Sequence, residues 1–362
     1  MTADTTLHAA AAARATLVQA LVDEGAITPQ WRAAFEAVPR HLFVPFFYDG
    51  AGVRIAGDDP GTADSWFTAV HQNRSLVTHR TDGAATSSST EPSLMARMLD
   101  ALDVADTSRV LEIGTGTGYN AALLSHRVGD SNVTTLDLDE DITGPARERL
   151  TQAGYAPLVV TSDGASGWPT AKPYDRIIAT CSLDTVPRPL LAQLADGGVM
   201  VAPLRNGLTR IERTRAGATG RFIGGAFFMT MRHQGGTTGV TRRPALPDGP
   251  ARASALPTEA IVNSDFRFFL SLVVPRLTWR YDAIEQGIPR GVQVWTADGS
   301  IASLSTEGSV RETNGLWTLL EHAHTSWAEA ERPGLTRYGI TVDDQDQHIW
   351  LNSPTGPSWR LA

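Results

Sequence analysis

The chain has one cysteine, Cys181, among 362 residues. A single thiol excludes an internal disulfide framework and any multi-cysteine metal centre, and no metal is expected. Lysine is as scarce: Lys172 stands alone, so arginine supplies the rest of the 31 basic side chains. Set against 39 acidic residues, these leave a net charge of −8. That global field repels phosphate backbones and disfavours a nucleic-acid partner. No apolar run approaches the ~20 residues needed to span a bilayer. The N-terminal Met-Thr-Ala-Asp-Thr-Thr lacks a basic region followed by an apolar core, as a secretory signal would require. A cytoplasmic protein with no membrane partner is expected, and a monomer.

What is present fits a packed globular chain: 42% of residues are hydrophobic and 19% charged, the usual balance. The length predicts two units. Residues 8–24 are alanine-rich with Leu17, Leu21 and Val22 at helical spacing, and Pro29–Val38 reads as a second helix. Residues 46–80 have no clean period and read as loops with short strands. From 109 onward, short apolar strands alternate with helices: strands at 109–112, 132–136, 157–161, 174–179 and 199–203, and helices after the first, second and fourth. This alternation predicts an α/β doubly wound sheet of Rossmann-like type. Residues 207–233 alternate without helices, so antiparallel strands are expected at one edge.

Residues 239–258 hold four prolines and no apolar period, which reads as a linker between units 1–238 and 259–362. The last unit reads as a smaller α+β domain with a helix at 316–331. It is acidic, with 8 basic and 13 acidic residues, and holds six of the nine tryptophans. That acidity suggests a basic or neutral peptide partner. Most of the tryptophans are expected in its core, and some at a docking surface.

The first alternating strand ends in Glu112-Ile-Gly-Thr-Gly-Thr-Gly118 and opens a helix. A bare G-x-G is a weak indicator. Here the spacing is G-x-G-x-G rather than the G-x-G-x-x-G that holds a pyrophosphate. Glu112 directly precedes the turn, where a carboxylate repels a pyrophosphate and suits a cation, such as the ammonium group of S-adenosylmethionine. The second strand ends in Asp137, 21 residues past Gly116, where a carboxylate accepts bonds from ribose hydroxyls. The third ends in Ser162-Asp163-Gly164, where an adenine amino group is within reach. Each acid alone is an ordinary cap or turn residue. Three after successive strands point to one ligand.

Residues about 15–235 resemble the protein-L-isoaspartate O-methyltransferases. The resemblance rests on Val38-Pro-Arg-His-Leu-Phe-Val-Pro45, Thr90-Glu-Pro92, the 110–122 turn and helix, Ser162-Asp-Gly164, Gly167-Trp168, Pro173-Tyr-Asp-Arg-Ile177, Val186-Pro187 and Leu194-Ala-Asp-Gly-Gly198. The first of these is specific to the family; the glycine turn alone marks only the methyltransferase superfamily. The resemblance implies S-adenosylmethionine as cofactor, held by Glu112, Gly114, Thr115, Gly116, Gly118, Asp137, Leu138, Asp163 and Gly164. It implies that Thr90, with Ser88 and Ser89 beside it, orients the substrate carboxylate. Where the family has Ser-x-Pro, this chain has Thr90-Glu91-Pro92, which keeps the hydroxyl and adds a methyl.

A repair enzyme of this family would end near residue 235, and this chain continues for over a hundred residues. The ending, Arg337-Tyr-Gly-Ile-Thr-Val342 with Ile349–Pro354 and Ser358-Trp359, resembles extended homologues, mainly actinobacterial, encoded with ribosomally made, modified peptides (lanthipeptides and graspetides). The expected substrate is then a normal aspartate in a precursor peptide, already macrocyclised. Its methyl ester would close to a succinimide and open in part to isoaspartate. Two alternatives stand: general repair of isoaspartyl proteins, and a catalytically silent scaffold in a biosynthetic complex. A nucleic-acid methyltransferase lacks support, because the base-clamping Asn/Asp-Pro-Pro-Tyr/Phe is replaced by Ala179-Thr-Cys-Ser182.

An aspartate of pKa ~3.9 is ionised at neutral pH, so methyl transfer to it needs no general base. No His/Asp or Cys/His constellation is seen. Several of these residues have structural readings as well. Thr90 can N-cap the helix at 93–102. The Ser87–Ser89 run reads as a flexible polar loop, and His41 as a buried histidine bonding loop backbone. Cys181 reads as a small pocket-lining residue.

Overall fold

The computed structural model describes residues 3–81, 83–233, 243–246, 248–282, 284–285 and 288–361. Its spine is a ten-stranded sheet. Five parallel strands form one half in the order Leu194–Leu204, Tyr174–Ala179, Val110–Ile113, Val133–Asp137, Leu158–Thr161. All four residues of Val110–Ile113 are buried, as expected of a parallel strand covered on both faces. The chain leaves this strand for Val133–Asp137 on one side and later returns to Tyr174–Ala179 on the other. The resulting switch point is where α/β sheets open a crevice. The fold is the Rossmann-like class I methyltransferase fold, with antiparallel strands at one edge.

That edge is longer than expected. Gly207–Thr214 and Gly217–Gly225 continue the sheet antiparallel. Beyond them lie Tyr338–Val342, Gln347–Leu351 and Ser358–Arg360, in which Ala218–Arg221 pairs with Gly339–Val342. The end of the C-terminal unit is therefore woven into the large sheet. The rest of that unit is a five-stranded sheet running from Arg252–Ala253 to Thr278–Tyr281, with helices Ser264–Val273 and Leu316–Glu329. Aromatic packing crosses the seam: the Phe222 ring lies 4.6 Å from Phe268, and Phe268 lies 5.0 Å from Tyr338. All three are fully buried; burial of each contributes about 2–3 kcal/mol relative to exposure. Part of the expected linker, 239–242 and 247, and the boundary at 238, lie outside the described residues. Its 252–253 stretch is a strand paired with Ser309–Val310.

A separate four-stranded sheet covers the crevice, in the order Arg54–Ala56, Phe46–Tyr48, Leu76–Thr81, Ala84–Ser89. It corrects two expectations. Residues 46–80 contain a helix, Ala63–Val70, missed because only two of its residues are buried. Its anchors are tertiary: the Trp66 indole donates to Val44 O at 2.7 Å, and the Thr62 hydroxyl receives Ala56 N–H at 3.0 Å. The Ser87–Ser89 run is strand rather than flexible loop, because Leu76 and Val77 pair with Ser89 and Ser88 across the hairpin.

Candidate functional site

The crevice at the switch point is a cleft of about 910 Å3, its open mouth included. Residues Gly114–Thr117 of the glycine turn form its floor. Gly114, Gly116 and Gly118 all have positive φ, at 98°, 53° and 88°, which glycine alone adopts freely. Gly114 is required twice over, since a Cβ there would lie 2.5 Å from Thr180 Oγ1. The Gly114 and Thr115 N–H groups donate to Leu136 O at 2.8 and 2.9 Å, fixing the turn to the next strand.

Glu112 is completely buried beneath this turn. Asn120 Nδ2 donates to one carboxylate oxygen at 2.7 Å and Thr135 Oγ1 to the other at 2.6 Å. Burial is the larger effect on its pKa, and raises it to about 7 against those two bonds. The Asn120 Oδ1 carbonyl is buried with no hydrogen-bond partner. An acid held rigid, near neutrality and beside an orphaned acceptor fits a cation that donates hydrogen bonds. Asp137 accepts from Gly116 N at 2.9 Å and Leu138 N at 2.8 Å. Two lone pairs of that carboxylate remain for hydroxyl donors. This donor and acceptor set fits the amino-acid and ribose ends of S-adenosylmethionine.

Ser88, Ser89, Thr90, Glu112, Gly114, Thr115, Gly116, Asp137, Leu138 and Gly164 all line the cleft, and Gly118 and Asp163 do not. Gly118 instead caps the helix Tyr119–Val128. The Asp163 side chain accepts from Ala165 N at 2.9 Å and lies 3.4 Å from His233 Nδ1, so it shapes the rim. A Cβ on Gly164 would collide with Ile113 at 2.5 Å, which brings its backbone close to the cleft.

Thr90 is not the helix cap. Pro92 is the first helical residue and Glu91 occupies the cap position, leaving Thr90 one residue outside. Its hydroxyl donates to nothing among the described residues, and it is half-buried at the cleft wall. Ser89 is buried and its hydroxyl accepts from Arg40 Nε at 3.2 Å. Arg40 organises the whole wall. It is 2% exposed and also donates to the carbonyls of Val70, Gln72, Arg74, Ser89 and Thr90 at 2.9–3.4 Å. Burial lowers its pKa to about 10, still fully charged at neutral pH.

His41 does not bond the loop backbone as expected; its neighbour Arg40 does. The His41 Nδ1 is buried without a partner and its ring packs 5.5 Å from His71. Burial, then the charge of His71, pushes its pKa down to about 4. Cys181 lines the cleft, and burial raises its thiol to about 12, so no thiolate forms at neutral pH. Among the tryptophans of the C-terminal unit, Trp295, Trp317, Trp327 and Trp350 are buried core.

The far wall, Phe228 to Arg232, carries no motif. Ser182 N donates to Met229 O at 2.8 Å and Met231 N to Ser182 O at 2.9 Å, and Arg232 pairs with Asp139 at 2.7 Å. Asn120, Arg40 and this wall were missed because their roles depend on long-range contacts. Among the described residues no cluster of metal-ligating side chains occurs, and no helix is long and apolar enough to cross a membrane.

A family model described as protein-L-isoaspartate(D-aspartate) O-methyltransferase matches residues 12–226. The protein-L-isoaspartate O-methyltransferase of Methanosarcina mazei is 38% identical over 132 residues, 36% of this chain and 54% of that relative. The chain thus spans little more than half of that relative's length. That of Dictyoglomus turgidum is 33% identical over 192 residues, 53% of this chain and 76% of the relative. A solved structure of a protein-L-isoaspartate O-methyltransferase shares the fold with a TM-score of 0.57 at 22% identity, over 94% of this chain and 100% of that one. That likeness in fold extends into the C-terminal unit.

Proposed function

The chain belongs to the protein-L-isoaspartate(D-aspartate) O-methyltransferase family, and on that premise we propose that it is an S-adenosylmethionine-dependent methyltransferase acting on an aspartyl side-chain carboxylate in a peptide. The observation that carries the reading is one cleft that holds both the buried Glu112 with its Asn120 partner and the unbonded Thr90 hydroxyl.

The bound cofactor supplies an electrophilic methyl group on a sulfonium. Glu112 and Asn120 Oδ1 would hold its ammonium and Asp137 its ribose hydroxyls, and the Gly114–Gly116 turn would leave room for its body. A substrate carboxylate is the nucleophile in its ordinary ionised state, so the protein's task is placement and exclusion of water. Thr90 donates to one carboxylate oxygen and leaves the other free to attack. Arg40 holds Thr90 through its carbonyl, so the hydroxyl is aimed by a buried, charged clamp.

The proposed substrate is a normal aspartate of a ribosomally made precursor peptide, crosslinked beforehand, whose ester closes to a succinimide. The resemblance of the chain's last strands to peptide-tailoring homologues supports this reading. The second reading, repair of isoaspartyl residues, is favoured by the family description and by the likeness in fold that includes the C-terminal unit. Length therefore does not separate the two. A paired assay does: release of S-adenosylhomocysteine is followed with a macrocyclised peptide bearing one normal aspartate and with an isoaspartyl hexapeptide. Turnover of the first and neglect of the second is expected; the reverse assigns repair. No heat of binding with S-adenosylmethionine would remove both readings in favour of a scaffold.

A further inference from the structure

We propose that the pocket between the large sheet and the C-terminal helices, lined by Arg205, Leu272, Pro275, Arg276, Trp359 and Arg360, binds the carboxylate of an acidic side chain on a peptide. It is a second recognition point beside the methylation cleft, and as such rests on the peptide reading above.

Charge in this pocket is unbalanced. The Arg205 side chain is only 8% exposed, and its Nε–H is buried with no hydrogen-bond partner. The carboxylate facing it, Asp184, lies 3.9 Å away from its Nη1, beyond hydrogen-bond reach. Asp184 is instead engaged by Arg276, through Nε at 3.2 Å and Nη2 at 3.0 Å. Two guanidinium groups thus share one carboxylate. Arg360, at the rim, pairs with Asp346 at 2.5 Å. A buried cation lacking a full partner is costly, and a second carboxylate satisfies it by the bidentate geometry that guanidinium favours.

The backbone reinforces this. Arg205 and Arg276 have φ of 59° and 60°, a region in which non-glycine residues are uncommon. Arg205 follows Leu204 in the tight turn where Leu204 pairs with Gly207, a position that glycine or asparagine usually takes. Two arginines held this way at one pocket indicate that their side chains are needed there. The place is also apt. The Ser182 hydroxyl donates to Arg205 O at 2.9 Å, and the preceding Cys181 lines the cleft. Leu272, Pro275 and Trp359 supply apolar walls, which strengthen an ion pair by excluding water. The unit's acidic total therefore conceals a local cationic pocket, and the expectation of a basic or neutral peptide does not describe this face.

The test uses full-length protein saturated with S-adenosylhomocysteine and fluorescein-labelled hexaglutamate, with hexaglutamine as control, read by fluorescence anisotropy. Hexaglutamate should bind at least ~10-fold more tightly than hexaglutamine. Arg205→Gly, which suits the turn and should keep the fold by thermal unfolding, should erase that preference. Asp184→Asn should strengthen hexaglutamate binding, because it removes the competing carboxylate. Neither should alter affinity for S-adenosylhomocysteine. Equal binding of both peptides, or an unchanged preference in Arg205→Gly, would overturn the proposal. Displacement by inorganic phosphate at concentrations where acetate has no effect would also overturn it, in favour of a phosphate site. Loss of S-adenosylhomocysteine binding with the hexaglutamate preference intact would instead strike at the methyl-transfer reading and leave the pocket standing.

Discussion

Glu112 shows how one residue's environment sets its task. Its folded pKa of about 7 lies above the ordinary 4.5, so the ligand-free fold prefers the neutral form. Stability from that preference is complete below about pH 4.5 and is lost as pH rises through 7. A cationic ligand needs the carboxylate, so affinity for S-adenosylhomocysteine should rise between about pH 5.5 and 8. Glu112→Gln should bind weakly, lose this pH dependence, and unfold at a higher temperature than the parent at pH 8. Calorimetric titration across pH checks the first two, and thermal unfolding the third. Asp137→Ala should cost two ribose hydrogen bonds, about 3 kcal/mol or ~100-fold in affinity. Near-normal affinity there would remove Asp137 from the site. Thr90→Val keeps shape but removes the hydroxyl; kcat/KM should fall ~10- to 100-fold with cofactor affinity unchanged, and Thr90→Ser should restore it.

The wall made of the Ala84–Ser89 strand and Thr90 is held by Arg40 rather than by its own hydrogen bonds alone. Arg40→Met should leave several buried carbonyls unpaired, at a cost of about 3 kcal/mol in denaturant unfolding, and should lower activity beyond what that loss explains. The parallel strands and the glycine turn were legible because their cause is local: short apolar-rich runs alternate with helices, and the first three carry an acid at or just past their ends. The serine run was not. Polar and without period, it becomes a strand only because Leu76–Thr81 lies beside it. His41 misled for the same reason, since the bonding role fell to the adjacent Arg40, whose partners are 30–50 residues away. The far wall, Phe228–Arg232, is positioned by Ser182 and Asp139 and has no sequence pattern at all.

Across the whole molecule, the C-terminal unit was legible as an added α+β unit, but its return to the large sheet was not, because strand order is a long-range property. Removing residues after 238 would expose the Gly217–Gly225 edge and the Phe222 face that Phe268 and Tyr338 cover. Such bare edges aggregate. The truncated chain should be insoluble or molten by near-UV circular dichroism, rather than a soluble enzyme with relaxed specificity. The central claim is transfer of a methyl group to a peptide carboxylate, and its most direct test locates that methyl group. The protein is incubated with S-adenosylmethionine and, separately, with a macrocyclised aspartate-bearing peptide or an isoaspartyl hexapeptide, and each product is mapped by tandem mass spectrometry before and after mild base. An added CH2 on one aspartate, released as methanol by base and formed ~10- to 100-fold more slowly with Thr90→Val, is the predicted result. A base-stable methyl on nitrogen, or bound cofactor with no carboxylate of either peptide methylated, would contradict it.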